Sequence, residues 1–136
     1  MDLGIEGKKA IVCASSKGLG KSCAKSLLEE GATVLINARG EEGLKATFEE
    51  LSEVDEKRIK MVVADLDTEE GRKTIIESCP NPDILVTNNS GPPPGNFLEM
   101  DRDQWLKALD ANMLSAVFMI KEVMPSMVEK NFGRII

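Results

Sequence analysis

Apolar positions along this chain fall into two alternating rhythms. Short, nearly unbroken apolar runs occupy residues 10–13, 32–37, 58–64 and 84–87, and another begins at residue 134. Each has the length and β-branched content of a buried strand. The stretches between them repeat at helical spacing. The pattern predicts a helix over 18–30, with Leu19, Cys23, Leu27 and Leu28 on its apolar face and Gly31 as its stop. It predicts a second over 41–52, with Leu44, Phe48 and Leu51 inward, and a third over 68–78, capped by Thr68 or Asp67. A long helix over 102–130, capped by Asp101, would bury a stripe of Trp105, Leu109, Met113, Ala116, Ile120, Met124 and Met127. Val117 and Val123 widen that stripe, and Pro125 is placed to kink the helix. Residues 88–95, with three consecutive prolines between glycines, can be neither helix nor sheet interior.

Strand and helix in strict alternation imply an α/β fold with a parallel sheet and right-handed crossovers. At 136 residues the chain is one domain or a piece of one. It stops just inside an apolar run, so the expectation is the N-terminal part, residues 1–136, of a longer single domain.

Composition narrows the function classes. The net charge is −6, and the 17 basic residues form no block, which argues against nucleic acid or an anionic membrane as partner. No leader-like or membrane-length apolar run is present. Cys13, Cys23 and Cys79 have no metal-like spacing and read as small buried residues of a reducing, cytoplasmic protein. No metal site is expected. There is no histidine and no tyrosine, so no His-based triad can be built.

The chemistry concentrates in residues 9–28. A strand runs into a small-residue turn and then a helix. The first amide groups of that helix lack intrahelical partners, and its dipole places partial positive charge there. Small side chains let a diphosphate approach the backbone. Ser15 and Ser16 can be read as plain turn residues, though the strand-to-helix context favours a phosphate role; Asp65 can be read as a loop cap, and Asn88 and Asn89 as holders of a turn.

Two segments make the pattern specific. The first loop reads Cys13-Ala14-Ser15-Ser16-Lys17-Gly18-Leu19-Gly20, and the fourth strand ends Asn88-Asn89-Ser90-Gly91. With Asp65 between them and Asn112 after them, they resemble the short-chain dehydrogenase/reductase family, in particular the first half of a 3-oxoacyl carrier-protein reductase. The chain departs from the family pattern in Cys13-Ala14, where Thr-Gly is usual, and in Ser90, where alanine is usual. The resemblance implies a Rossmann-like, doubly wound parallel sheet of strand order 3-2-1-4(-5). It implies that Ala14, Ser15, Ser16, Lys17 and Leu19 line the cofactor phosphates, with Gly18 and Gly20 as the loop's retained glycines. Asp65 and Leu66 would border the adenine, and Asn89, Ser90 and Gly91 the ribose. Asn112 would be the asparagine of the catalytic tetrad, organising a water in the proton relay. A small carbonyl or alcohol substrate and a homo-oligomer, dimer or tetramer, follow from the same resemblance.

Cofactor choice has its own physical handle. An NAD site places a carboxylate after the second strand to accept from the ribose 2′-hydroxyl. Here that strand ends Asn37-Ala38-Arg39, with no acid before Glu41. Arg39, with Lys17 nearby, suits a 2′-phosphate, so NADP is expected over NAD. Read otherwise, both are solvated surface charges. The family's tyrosine, lysine and serine normally follow the strand that begins at Arg134 and cannot be placed here. The expectation is therefore an NADP(H)-dependent oxidoreductase whose 136 residues alone are inactive. The alternatives are a catalytically silent nucleotide-binding module or a partner-binding domain.

Overall fold

The computed structural model describes residues 2–136. Five parallel strands form one sheet in the order β3-β2-β1-β4-β5, from β1 (Lys9–Val12), β2 (Thr33–Ala38), β3 (Ile59–Val63), β4 (Ile84–Val86) and β5 (Arg134–Ile135). Ile11 lies level with Leu35 on one side and Leu85 on the other. The sheet is doubly wound and Rossmann-like, as the resemblance implies. The crossovers are α1 (Gly18–Glu29), α2 (Glu41–Asp55) and α3 (Glu69–Ser78), followed by α4 (Arg102–Leu109) and α5 (Ser115–Glu129).

Both sheet faces are covered, which is why the strands read as continuous apolar runs. Ala10, Val12, Val34, Ile36, Ile84 and Val86 point to one face and pack on Ala24, Leu28, Leu44 and Leu51 of α1 and α2. Ile11, Leu35 and Leu85 point to the other, against Ile75 of α3 and Met119, Val123 and Met127 of α5.

The apolar face of α1 matches the predicted one in part: Cys23 and Leu27 pack, half-buried, against the core. Gly20, Ala24 and Leu28 are buried, whereas Leu19 is 80% exposed. The small residues let the helix lie close on the sheet. A Cβ on Gly20 would come within 2.5 Å of the Ala14 carbonyl oxygen and 2.9 Å of Asn88 Nδ2.

The long helix over 102–130 is also corrected. It is interrupted by a π-turn, Asp110–Leu114, and Pro125 lies inside α5. The buried stripe is Ser115, Met119, Val123 and Met127, at strict i, i+4 spacing. Trp105, Leu109, Met113 and Met124, predicted inward, are exposed. The extra residue of the π-turn rotates α4 relative to α5, so one stripe cannot stay inward through both.

Candidate functional site

The first loop is fastened from behind by buried Ser15, Asn37 and Thr47 and by half-buried Asn88. Ser15 is fully buried; its hydroxyl donates to Val12 O (2.7 Å) and accepts from Asn37 N–H (3.0 Å). Its own N–H donates to Asn37 O at 2.8 Å. Every polar group of Ser15 but its carbonyl is thereby spent on β1 and β2, and Ser15 is not among the residues that line the groove in front of the loop. Asn37 continues the anchor, donating through Nδ2 to Ala64 O (2.9 Å). On α2, buried Thr47 donates its hydroxyl to Ser16 O (2.8 Å). Asn88 Nδ2 donates to Ala14 O (3.0 Å).

The loop's backbone is special at its start. Ala14 has φ +47°, the left-handed region that a Cβ disfavours, so it stands in the conformation that a glycine would hold at no cost. The anchors on either side hold it there. Lys17 then caps α1 with extended backbone, and no side chain accepts from the first-turn amides. By contrast, α3 is capped by Thr68, which accepts from Gly71 N–H, and α4 by a reciprocal Asp101–Gln104 capping box.

In front of this loop lies a groove of about 420 Å³. Ala14, Ser16, Lys17, Gly18 and Leu19 form one wall, and Ala38, Arg39 and Gly40 another. Asn37, Ala64, Leu66, Asn88, Asn89 and Ser90 complete it. Among the described residues no carboxylate lines it, although the chain carries a net −6. Lys17 and Arg39 are exposed and form no ion pair among the described residues. The arrangement can hold an extended polyanion: free amides at a helix start, two unpaired cations and no acid to repel it.

Of the sequence-predicted residues, Gly20, Asp65 and Gly91 lie off the groove wall with Ser15. Gly20 permits the close helix packing described above. Asp65 is half-buried, and its carboxylate accepts from Asp67 N–H at 3.0 Å. Gly91 is exposed, with no atom within 4 Å of where a Cβ would stand. Asn37 was missed by the sequence reading; its signal was a lone amide ending an otherwise apolar strand.

A smaller cavity of about 210 Å³ adjoins the groove through the shared residues Leu66, Asn88 and Asn89. Asn112, Ser115, Thr87 and Cys13 line it. Asn112 is the residue that the resemblance makes the tetrad asparagine. It is exposed, within the π-turn, and Nδ2 donates to Ala108 O at 3.0 Å. The neighbouring Ala111 carbonyl turns to Asn89, whose Nδ2 donates to it at 2.5 Å. Burial pushes the Cys13 thiol up to about 12, against a smaller opposing effect from the Asn88 backbone N–H. Among the described residues, no group of three or more His, Cys, Asp or Glu side chains is placed to hold a metal, and no helix is long and apolar enough to cross a membrane.

Known proteins place this architecture. The chain is 37% identical to an uncharacterised oxidoreductase, YvaG, of Bacillus subtilis, over all of this chain and 52% of that protein. It is 38% identical to the 3-oxoacyl-[acyl-carrier-protein] reductase FabG of Vibrio harveyi, over 98% of this chain and 55% of that one. In structure it is similar to the L-sorbose reductase of Gluconobacter frateurii, solved with NADPH and L-sorbose. The TM-score is 0.91 at 29% identity, covering 99% of this chain and 53% of that one. A short-chain dehydrogenase/reductase of Caenorhabditis elegans, solved with cofactor, superposes with a TM-score of 0.88 at 33% identity. The chain spans about half the length of the curated relatives it matches. Residues 8–136 match the family described as short chain dehydrogenase, and the chain belongs to that family of oxidoreductases.

Proposed function

We propose that the protein carrying this chain is an NADP(H)-dependent oxidoreductase that reduces a carbonyl or oxidises an alcohol. Residues 1–136 are then the cofactor-holding N-terminal part of its single dinucleotide-binding domain. The observation that carries this reading is the acid-free groove, with Lys17 and Arg39 on its walls and the uncapped start of α1 at its base. The fit is one of donor chemistry. Amides of the α1 start, reached past Ala14, Ser16, Gly18 and Leu19, would hold the diphosphate. Arg39 and Lys17 would pair with the 2′-phosphate, for which no competing carboxylate lines the groove. Leu66 would pack on the adenine with Asp65 at its edge, and Asn89, Ser90 and Gly91 would border the ribose.

The bound nicotinamide would supply or accept a hydride. This chain's residues would bind and orient it, with Asn112 holding a water of the proton relay in the adjoining cavity. FabG of Vibrio harveyi supports a 3-oxoacyl-type carbonyl substrate as a first candidate, and the NADPH complex of the sorbose reductase supports the cofactor. No tyrosine occurs in the 136 residues, so they alone are expected to bind cofactor without turning over substrate. That same observation favours, as a second reading, a catalytically silent nucleotide-binding module. The exposed Trp105, Leu109, Met113 and Met124 support a homo-oligomer.

The test is a titration with NADPH and NADH followed by nicotinamide fluorescence. NADPH is expected to bind more tightly, and Arg39→Asp to move the preference toward NADH. An unchanged preference refutes the role given to Arg39.

A further inference from the structure

Resting on the NADP reading, we propose that Ser90 is a positioning residue that holds Arg39 across the mouth of the groove as a strap, which an adenosine phosphate must displace on entering. Arg39 follows β2 and Ser90 follows β4, and β1 lies between those strands. Two strand spacings, about 10 Å, therefore separate the ends from which the two residues project. Arg39 Nη2 nevertheless donates to Ser90 Oγ at 3.4 Å. The side chain makes that contact by reaching over the end of β1, where the first loop begins and where ligands of open α/β sheets sit. Both residues line the groove they bridge.

The strap is held at one end and weak at its centre. Ser90 N–H donates to Asn89 Oδ1 at 2.7 Å, and Asn89 is itself tied to Ala111 O of the π-turn. The serine is thus presented from a fastened loop. Its hydroxyl is a neutral, solvent-exposed acceptor at long distance, and among the described residues Arg39 has no carboxylate partner to compete with it. A 2′-phosphate offers the guanidinium fork a charged acceptor in exchange. A ligand without that phosphate opens the strap and gives Arg39 nothing in return. Ser90 therefore lowers affinity for every adenosine phosphate, while Arg39 sets the preference among them.

The test is calorimetric titration of the full chain with adenosine 2′,5′-bisphosphate and with 5′-AMP, for the wild type, Ser90→Ala, Ser90→Thr and Arg39→Ala, with a thermal melt on each to confirm folding. Ser90→Ala is expected to bind both ligands about twofold more tightly with their ratio unchanged. Ser90→Thr, which keeps the hydroxyl, should return to the wild-type values. Arg39→Ala should lose the preference for the bisphosphate, and Ser90→Ala added to it should give no further gain. Unchanged or weaker binding by Ser90→Ala, or failure of Ser90→Thr to restore, overturns the strap while loss of preference in Arg39→Ala leaves the cofactor reading standing. Retained preference in Arg39→Ala, or no binding of the bisphosphate by any form, overturns both.

Discussion

Ser15→Ala separates an anchor from a ligand contact. The hydroxyl is fully buried, donates to Val12 O at 2.7 Å and accepts from Asn37 N–H at 3.0 Å. Alanine fills nearly the same space, so no cavity contributes. What is lost is one good donated bond, and the Asn37 amide is left without that acceptor in a site that water does not reach. A net hydrogen bond is worth about 1 kcal/mol, and a stranded buried donor costs about 1–3 kcal/mol. The two losses share one hydroxyl, so the expected destabilisation is about 2–3 kcal/mol. For a domain of this size that lowers the melting midpoint by roughly 8 °C, or the urea midpoint by about 1–2 M. The assay is equilibrium urea unfolding of wild type and variant, followed by far-UV circular dichroism, with NADPH titrated at low denaturant on the folded fraction. Ser15 has no free donor facing the groove, so cofactor affinity of the folded fraction should change less than twofold. A variant within about 0.5 kcal/mol of wild type in stability, or one that loses cofactor affinity at unchanged stability, refutes the anchor assignment.

Ala14→Gly should stabilise the protein by roughly 0.5 kcal/mol, because relief of the left-handed strain exceeds the added freedom of the unfolded chain; Ala14→Val should destabilise it well beyond that, and thermal melts check both. At the opposite end of the sheet, Asp83 accepts from Lys130 Nζ (2.6 Å) and from Lys9 N–H (2.9 Å). Burial raises its pKa, but these bonds and nearby lysine charges outweigh it, so its folded pKa lies below the usual carboxylate value. The stabilisation is then fully present above about pH 4 and lost as pH falls through the folded value; Asp83→Asn should flatten that acid limb in urea midpoints measured from pH 2 to 7. Met113→Glu, on the exposed face of the π-turn, should leave the melting midpoint within about 1 °C of wild type and lower the sedimenting mass if that face joins copies of the chain.

Fold and groove were legible to different depths. The strands could be read because each is buried on both faces, so every residue type along them reports the same environment. The first loop could be read because an uncapped helix after a buried strand leaves few physical alternatives. Residue roles within it were less visible, since a serine that lines a phosphate and one that latches two strands are identical in sequence. Ser15 and Ser16 are neighbours, yet one faces inward and the other lines the groove. The π-turn was hidden for a related reason. One added residue leaves the local composition helical but rotates everything after it, so a stripe drawn from Trp105 to Met127 crosses from the solvent face to the core. Gly71 was silent as well: its importance comes from the Asp65 carbonyl oxygen, which a Cβ would approach to 1.9 Å, and that neighbour is brought in by the fold.

The two compartments share a wall built from two stretches of chain, one after β3 and one after β4. Asn88 ties the end of β4 to the first loop through Ala14 O, while Asn89 ties it to the π-turn through Ala111 O. The same two residues, with Leu66, form the wall common to the groove and the smaller cavity. At the π-turn the Ala111 carbonyl accepts from Ser115 Oγ as well as from Asn89 Nδ2, each at 2.5 Å. The π-turn, an irregularity that sequence periodicity could not register, is thus tied through Asn89 to the wall that groove and cavity share.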